Sequence, residues 1–222
     1  MRLRFSWIGL LLSTTQVFAH YTFEYISVNG GPKSKAGQYT RTLTKEYDPY
    51  YDIYDDNIRC GRGAATRGAG IETLSINAGD EIAFIATLYN TAITIFHEGP
   101  GLAYLSKSDG PLEYYTGDGD WFKIAEHTSN STGKWALQFK PSMNFKIPKT
   151  TPPGKYLLRA EHIFPYDSSF NRTQFYLSCA HLDIKGPGGG TPGPMVKFPG
   201  AYDLFDRDVS DYVAPGPPVW KG

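Results

Sequence analysis

The sequence has no excess of either charge. Lys plus Arg equals Asp plus Glu at 22 each, and removing Arg2 and Arg4 with the leader described below leaves 20 basic against 22 acidic residues. The electrostatic footprint of a nucleic-acid-binding protein is therefore missing. Cysteine is scarce, with only Cys60 and Cys179. Beyond the first segment no run approaches the roughly 20 apolar residues of a transmembrane helix, so no membrane partner is expected. Internal repeats, low-complexity tracts and a linker to a second domain are absent too. A composition of 41% hydrophobic and 20% charged residues suits one globular domain with a substantial core.

Aromatic residues, by contrast, are plentiful. They make up 15% of the chain, with 16 Tyr and 4 Trp, more than a core of this size needs. Tyr at a surface offers a flat apolar face with a polar tip. A planar, uncharged partner such as a sugar polymer fits that surplus better than a charged one.

At the start, Arg2 and Arg4 precede the apolar stretch Phe5 to Leu12. Val17-Phe18-Ala19 then supplies small residues where a signal peptidase accepts them. Residues 1–19 read as a secretory signal and residues 20–222 as a single domain, soluble and extracellular, with no appended carbohydrate-binding module. Cleavage after Ala19 makes His20 the amino terminus, with a free α-amine and an imidazole on one residue. In an oxidising compartment the two cysteines pair, closing a loop of more than a hundred residues, worth about 4–5 kcal/mol in the chain-entropy model. Asn130-Ser131-Thr132 and Asn171-Arg172-Thr173 are glycosylation sequons on expected surface loops.

The apolar periodicity is mostly two. Tyr21–Val28, Thr73–Asn77, Ile82–Leu88, Trp135–Phe139, Tyr156–Phe164 and Gln174–Ile184 are short runs rich in strand formers, separated by turn signals such as Asn29-Gly30-Gly31 and Pro152-Pro153-Gly154. The expected fold is all-β, an immunoglobulin/fibronectin III-like antiparallel β-sandwich with long loops and helix confined to short turns. Two segments exceed hairpin length, Gly31 to Gly70 and the tail after Gly186. Long loops on a rigid sandwich usually carry function.

Five His occur, at positions 20, 97, 127, 162 and 181. Two imidazoles plus an amine form a three-nitrogen arrangement that suits copper better than tetrahedral zinc. A processed His20 supplies ring and amine together. His97, between a strand-like run and the turn Glu98-Gly99-Pro100-Gly101, is the best-placed second imidazole; read alone, such a His is more often a hydrogen-bonded rim residue. Gln174 and Tyr176 share one strand face, about 6.5–7 Å apart. They can supply an amide donor and an axial phenol, or simply an edge Gln and a core Tyr. His127 and His181 are assigned to surface or sheet packing, with His181 on the face opposite Gln174 and Tyr176.

Several ordered motifs carry a resemblance across nearly the whole mature chain. They are "HYTFEYISVNG" from His20, "NIRCGRGA" from Asn57, "HEGPGLAYLSK" from His97, "PPGKYLLRAEHI" from Pro152, "QFYLSCAHLDIKG" from Gln174, and the closing "APGPPVW". The sequence resembles fungal lytic polysaccharide monooxygenases of auxiliary activity family nine. The resemblance implies one copper ion per chain, held by His20 and His97 with Tyr176 axial and Gln174 beside the metal. It makes Cys60 and Cys179 the family's shared disulfide. The implied activity is oxidative cleavage of cellulose or another β-1,4-glucan at C1, C4 or both, using O2 or H2O2 and an external electron donor, by a monomer. Nothing in the chain pairs two carboxylates as a glycosidase does, and an oxidative route needs no such pair.

One position departs from the family pattern. Where the family usually carries a further His after the "LLR-x-E" strand, this chain has Tyr166, a weaker acid that can still donate a hydrogen bond. His162 lies four residues earlier with Pro165 between, and is not expected to replace it. The altered position sets the alternative reading, a secreted copper- or polysaccharide-binding sandwich with little turnover; a purely structural sandwich would take up no copper. For the substrate face, Tyr39, Tyr47, Tyr50, Tyr51 and Tyr54 crowd the first long loop, and Tyr202 and Tyr212 lie in the tail. Tyr212 and Tyr54 are the chosen contacts, with at most two or three of these rings expected in an exposed plane.

Overall fold

The computed structural model describes residues 20–45, 47–165, 172–203 and 213–222. Among these residues nine strands form two sheets: β1 (Thr22–Val28), β2 (Leu74–Asn77), β3 (Glu81–Leu88), β4 (Thr91–Ala92), β5 (Gly101–Ser108), β6 (Trp121–His127), β7 (Ser142–Lys146), β8 (Gly154–Phe164) and β9 (Gln174–Lys185). In the smaller sheet β3 pairs with β1 and β7, and with the two-residue β4. The larger sheet runs β2-β9-β8-β5-β6. All pairings are antiparallel except β2 with β9, where Leu74 to Asn77 align with Leu182 to Lys185. Helix among the described residues is limited to 3-10 turns, among them Asp56–Ile58 and Ala64–Thr66. No helix among those residues is long and apolar enough to cross a membrane.

The sandwich is the one the two-residue periodicity predicts, and the long first loop and the tail carry no strand among their described residues. Trp135–Phe139 is the exception, because it is a turn. Trp135 makes a single bridge to Ser129, Leu137 alone is driven into the core at 4% exposure, and Phe139 takes a φ of +60°. One buried residue between exposed neighbours imitates strand alternation. In the other direction, β4, β5, β6 and β7 lie outside the six expected runs. Six consecutive residues of β5 are buried, as are eight in each of β8 and β9, so strands covered on both faces carry little alternation.

The core explains that burial. Between the sheets, Phe23, Phe84, Phe145, Leu105, Leu158 and Leu182 pack together. A second cluster, containing Ile58, Cys60, Trp121, Leu157, Leu177 and Phe198, lies on the outer face of the larger sheet beneath the long loops. Strands β8 and β9 are thus covered on both sides, with even-numbered residues facing the partner sheet and odd-numbered ones facing the loops. Each fully buried large apolar side chain contributes about 1.5–3 kcal/mol. The Cys60–Cys179 disulfide forms, with a Cα–Cα distance of 5.0 Å across a separation of 119 residues. It pins the first long loop to the middle of β9.

Candidate metal centre

The site lies where the N-terminal end of β1, the end of β8 and the start of β9 meet. Its floor is a stack of two phenols. Tyr21 and Tyr176 have ring centroids 4.2 Å apart at 19°, and both are almost fully buried. Burial pushes both hydroxyls up in pKa, with each phenol's second contribution coming from a neighbouring Tyr: Tyr176 for Tyr21 and Tyr51 for Tyr176. They therefore stay protonated and act as hydrogen-bond donors. Tyr176 donates to Gln174 Oε1 at 2.5 Å, which commits the carbonyl end of that amide and leaves its NH2 as the end available to another partner.

His20 and His97 come to this floor from opposite ends of the chain's first hundred residues. Their rings lie 6.5 Å and 5.7 Å from the Tyr176 ring. The His97 imidazole stacks on Phe164 at 4.1 Å and 9°, and Phe96 meets it edge-on at 5.6 Å. The following turn is held tightly against β8. A side chain at Gly99, where φ is +129°, would place its Cβ 1.8 Å from the Ile163 carbonyl oxygen. Only glycine permits that approach, and the approach fixes where His97 stands.

Below the stack lies His162, at 0% exposure. Its β8 position is opposite Tyr176 on β9, and its Nδ1 shares a 2.7 Å hydrogen bond with the Tyr21 hydroxyl. Burial, followed by the nearby His97, pushes its pKa down to about 3, so the ring is neutral. The structure thus brings His162 into the site's foundation, hydrogen-bonded to the residue that follows His20. The sequence signal was available in part: position 162 is even-numbered on β8, like Tyr156, Leu158 and Ala160, and so faces the partner sheet. Its pairing with Tyr21 depends on tertiary packing, and periodicity cannot supply it.

The remaining candidates separate clearly. Tyr166, Asn171 and Tyr212 lie outside the described residues. Tyr54 is exposed at 56% and its hydroxyl reaches Asp203 Oδ1 at 3.5 Å. Tyr50 and Tyr202 are buried and are removed from the substrate-face candidates; Tyr202 instead donates to Glu161 Oε2 beneath the loops. Tyr39 and Tyr47 are half-buried, and Tyr51 is exposed at 39%. The exposed aromatics beside His97 are Phe96 and the Phe139 ring 6.1 Å from it, which a search for tyrosines overlooks. Asn130 is exposed at its turn, where its side-chain oxygen accepts from Thr132 and Lys134. His127 bonds to the Asn144 carbonyl, and His181 is buried against Arg41.

The donor chemistry fits a metal that favours nitrogen. Among the described residues no group of three or more His, Cys, Asp and Glu comes together to hold an ion. The two imidazoles at Tyr176 therefore need a third donor that is not one of these side chains, and a free α-amine on His20 would be one.

Comparison with known proteins agrees with this geometry. The model of "Auxiliary Activity family 9 (formerly GH61)" matches residues 20–215. The chain is 37% identical to "AA9 family lytic polysaccharide monooxygenase U" of Thermothielavioides terrestris, over 95% of this chain and 96% of that protein. It is 38% identical to monooxygenase C of the same family from Emericella nidulans, over 96% and 99%. Among solved structures, CvAA9A superposes with a TM-score of 0.77 at 29% identity, covering 90% of this chain and 98% of that one. The fold and these matches define a copper-dependent oxidoreductase of the lytic polysaccharide monooxygenase class. The chain belongs to Auxiliary Activity family 9.

Proposed function

We propose that residues 20–222 act as a single secreted domain, released by cleavage after Ala19, that binds one copper ion and oxidatively cleaves a β-1,4-linked glucan at C1, C4 or both. The observation that carries this reading is the coincidence of two facts. The family match begins at His20, and the His20 and His97 rings both lie beside Tyr176, with centroids 6.5 Å and 5.7 Å from its own. Cleavage at that bond turns a peptide nitrogen into the missing third donor.

In this reading the His20 ring and α-amine would hold copper together with the His97 ring, with the Tyr176 phenol beside them. When bound, the metal supplies the one-electron chemistry by which O2 or H2O2, with an external electron donor, oxidises a C–H bond beside the glycosidic linkage. The protein's own contribution is positioning. Phe164 and Phe96 fix the His97 ring, and the Tyr21–His162 hydrogen bond anchors the residue next to His20. The Gln174 amide, oriented by the Tyr176 hydroxyl, presents its N–H beside the metal position. Tyr166 stands where the usual pattern has His and would donate a phenolic proton there. A crystalline polymer cannot enter a deep cleft, so exposed rings around the site, with Tyr54 and Tyr212 among them, would hold the chain by stacking. Asn130 and Asn171 are proposed glycan acceptors, and the enzyme is proposed to be a monomer.

The test is to load the mature protein with copper, supply ascorbate, and profile products by mass spectrometry over a panel of β-glucans. Oxidised oligosaccharides are expected, and their masses identify both substrate and oxidised carbon. A protein with one extra residue before His20 should lose tight copper binding and product together. Equal activity from that extended protein would overturn the site assignment. Copper uptake without any product would instead leave a binding module.

A further inference from the structure

A second feature lies at the opposite end of the larger sheet. Strand β5 leaves the metal centre at Gly101 and ends at Ser108, roughly 23 Å away at about 3.3 Å per residue. There the turn after β5 and the loop before β6 enclose an open cleft of about 440 Å³, lined among others by Lys107, Asp109, Gly110, Tyr114, Tyr115 and Gly119. That volume falls within the range of small-molecule sites.

Three properties of the lining point to a ligand class. Tyr114 is the most exposed large aromatic among the described residues, at 74%, and its backbone is anchored by a hydrogen bond from its N–H to the Pro111 carbonyl. A flat apolar ring is thus held open to water, at the usual cost of exposing such surface. Beside it, Lys107 and Asp109 make no ion pair or side-chain hydrogen bond with any described residue, so one cationic donor and one anionic acceptor remain available. The cleft wall is rigid: the Tyr115 hydroxyl is bonded to Ser106 Oγ at 2.6 Å and accepts from the Gly119 N–H at 3.2 Å. At Gly110 nothing lies within 4 Å of where a Cβ would be, so the cleft stays open on that side.

We infer that this cleft is a second carbohydrate-binding site, in which a β-1,4-linked glucose oligomer stacks one pyranose ring on Tyr114 and hydrogen-bonds its hydroxyls to Lys107 and Asp109. In β-glucopyranose every ring hydroxyl is equatorial, so each ring face is lined by C–H groups that match an aromatic surface while the rim carries donors and acceptors. The lining sets Lys107 against two carboxylates, Asp109 and Asp118, which disfavours a strongly anionic ligand. The choice of a glucose oligomer rests on the proposed function. Its consequence is that the domain can grip a polymer chain at a point remote from the metal, without a separate binding module.

Titration of the isotope-labelled, copper-loaded mature protein with cellohexaose, read from amide resonances, tests the site. Copper(II) erases signals close to itself, but the far cleft remains visible. Saturable shifts are expected at Lys107, Asp109, Gly110 and Gly119. Tyr114→Ala should weaken this binding at least tenfold while leaving the thermal midpoint, copper uptake and product profile unchanged. Absence of shifts there, or shifts unaffected by Tyr114→Ala, would overturn the inference. Product formation is scored separately. Shifts without oxidised products would count against the proposed function alone, and products without shifts against the second site alone.

Discussion

The two faces of the larger sheet are buried to a similar degree by opposite means. The face toward the partner sheet is apolar and aromatic, with His162 as its buried imidazole on β8. The face beneath the long loops contains buried charge. Arg159, at 0% exposure, donates to Glu161 and to the Ile58 carbonyl, with its guanidinium 4.1 Å from the Phe198 ring centroid. Arg41 donates to the carbonyls of Ala64, Ala65, Leu112 and Tyr115, and Lys123 to that of Pro215. A sheet packed on a sheet brings backbone groups already paired in ladders. A loop packed on a sheet brings carbonyls with no ladder, and each must find a donor. The buried cations are those donors. Burial works against the Arg159 charge, but Glu161 outweighs it and holds the guanidinium protonated; burial lowers Arg41 to about 10.

If this contrast is right, the largest loss should come from detaching the loop face covalently. Cys60→Ser with Cys179→Ser is expected to cost about 4–5 kcal/mol, read as a shift of the urea midpoint. Next is the buried pair. Arg159→Met strands the Glu161 carboxylate and the Ile58 carbonyl and should cost about 3–5 kcal/mol, whereas adding Glu161→Leu should recover part of that. A double variant worse than the sum of its single variants would break the donor argument. On the opposite face, His162→Phe removes the ring's hydrogen bond with the Tyr21 hydroxyl. It should cost about 1–3 kcal/mol by chemical denaturation, partly restored by Tyr21→Phe.

The last effect is one of pH, and it is gradual. Burial first, and then Arg41, hold His181 neutral with its pKa pushed down to about 3, while Arg41 Nε donates to its Nε2 at 2.9 Å. An unfolded His titrates near pH 6.5. Between those values the unfolded chain binds a proton that the native chain refuses, so this residue makes stability fall as pH drops below 6.5. The slope is at most about 1.4 kcal/mol per pH unit. His181→Gln should flatten the denaturation midpoint against pH in that window.

Much of this was legible in the residues. Runs of strand-forming residues located β1, β2, β3, β8 and β9, even though β8 and β9 are buried on both faces and carry little alternation. They did not pick out β4 to β7, and they misread Trp135–Phe139, a turn with one inward Leu. At the site, the motifs around His20, His97, Gln174 and Tyr176 were readable, and the last two do share a face. The pairing of Tyr21 with His162 was not legible, since their hydrogen bond spans 141 positions. Tyr50 and Tyr202 could not be separated from the surface candidates, because a Tyr in a loop looks the same in sequence whether it faces water or a buried carboxylate.

The sequence by itself determined the sandwich, the family and the motifs bearing the expected metal ligands, since these are written in local periodicity and in short runs of contiguous residues. Only the tertiary structure decided which aromatic rings face water, which imidazole lies beneath the phenol stack, and which cations serve the loop carbonyls. Those outcomes turn on burial and on hydrogen bonds between residues far apart in the chain, and no local pattern encodes them.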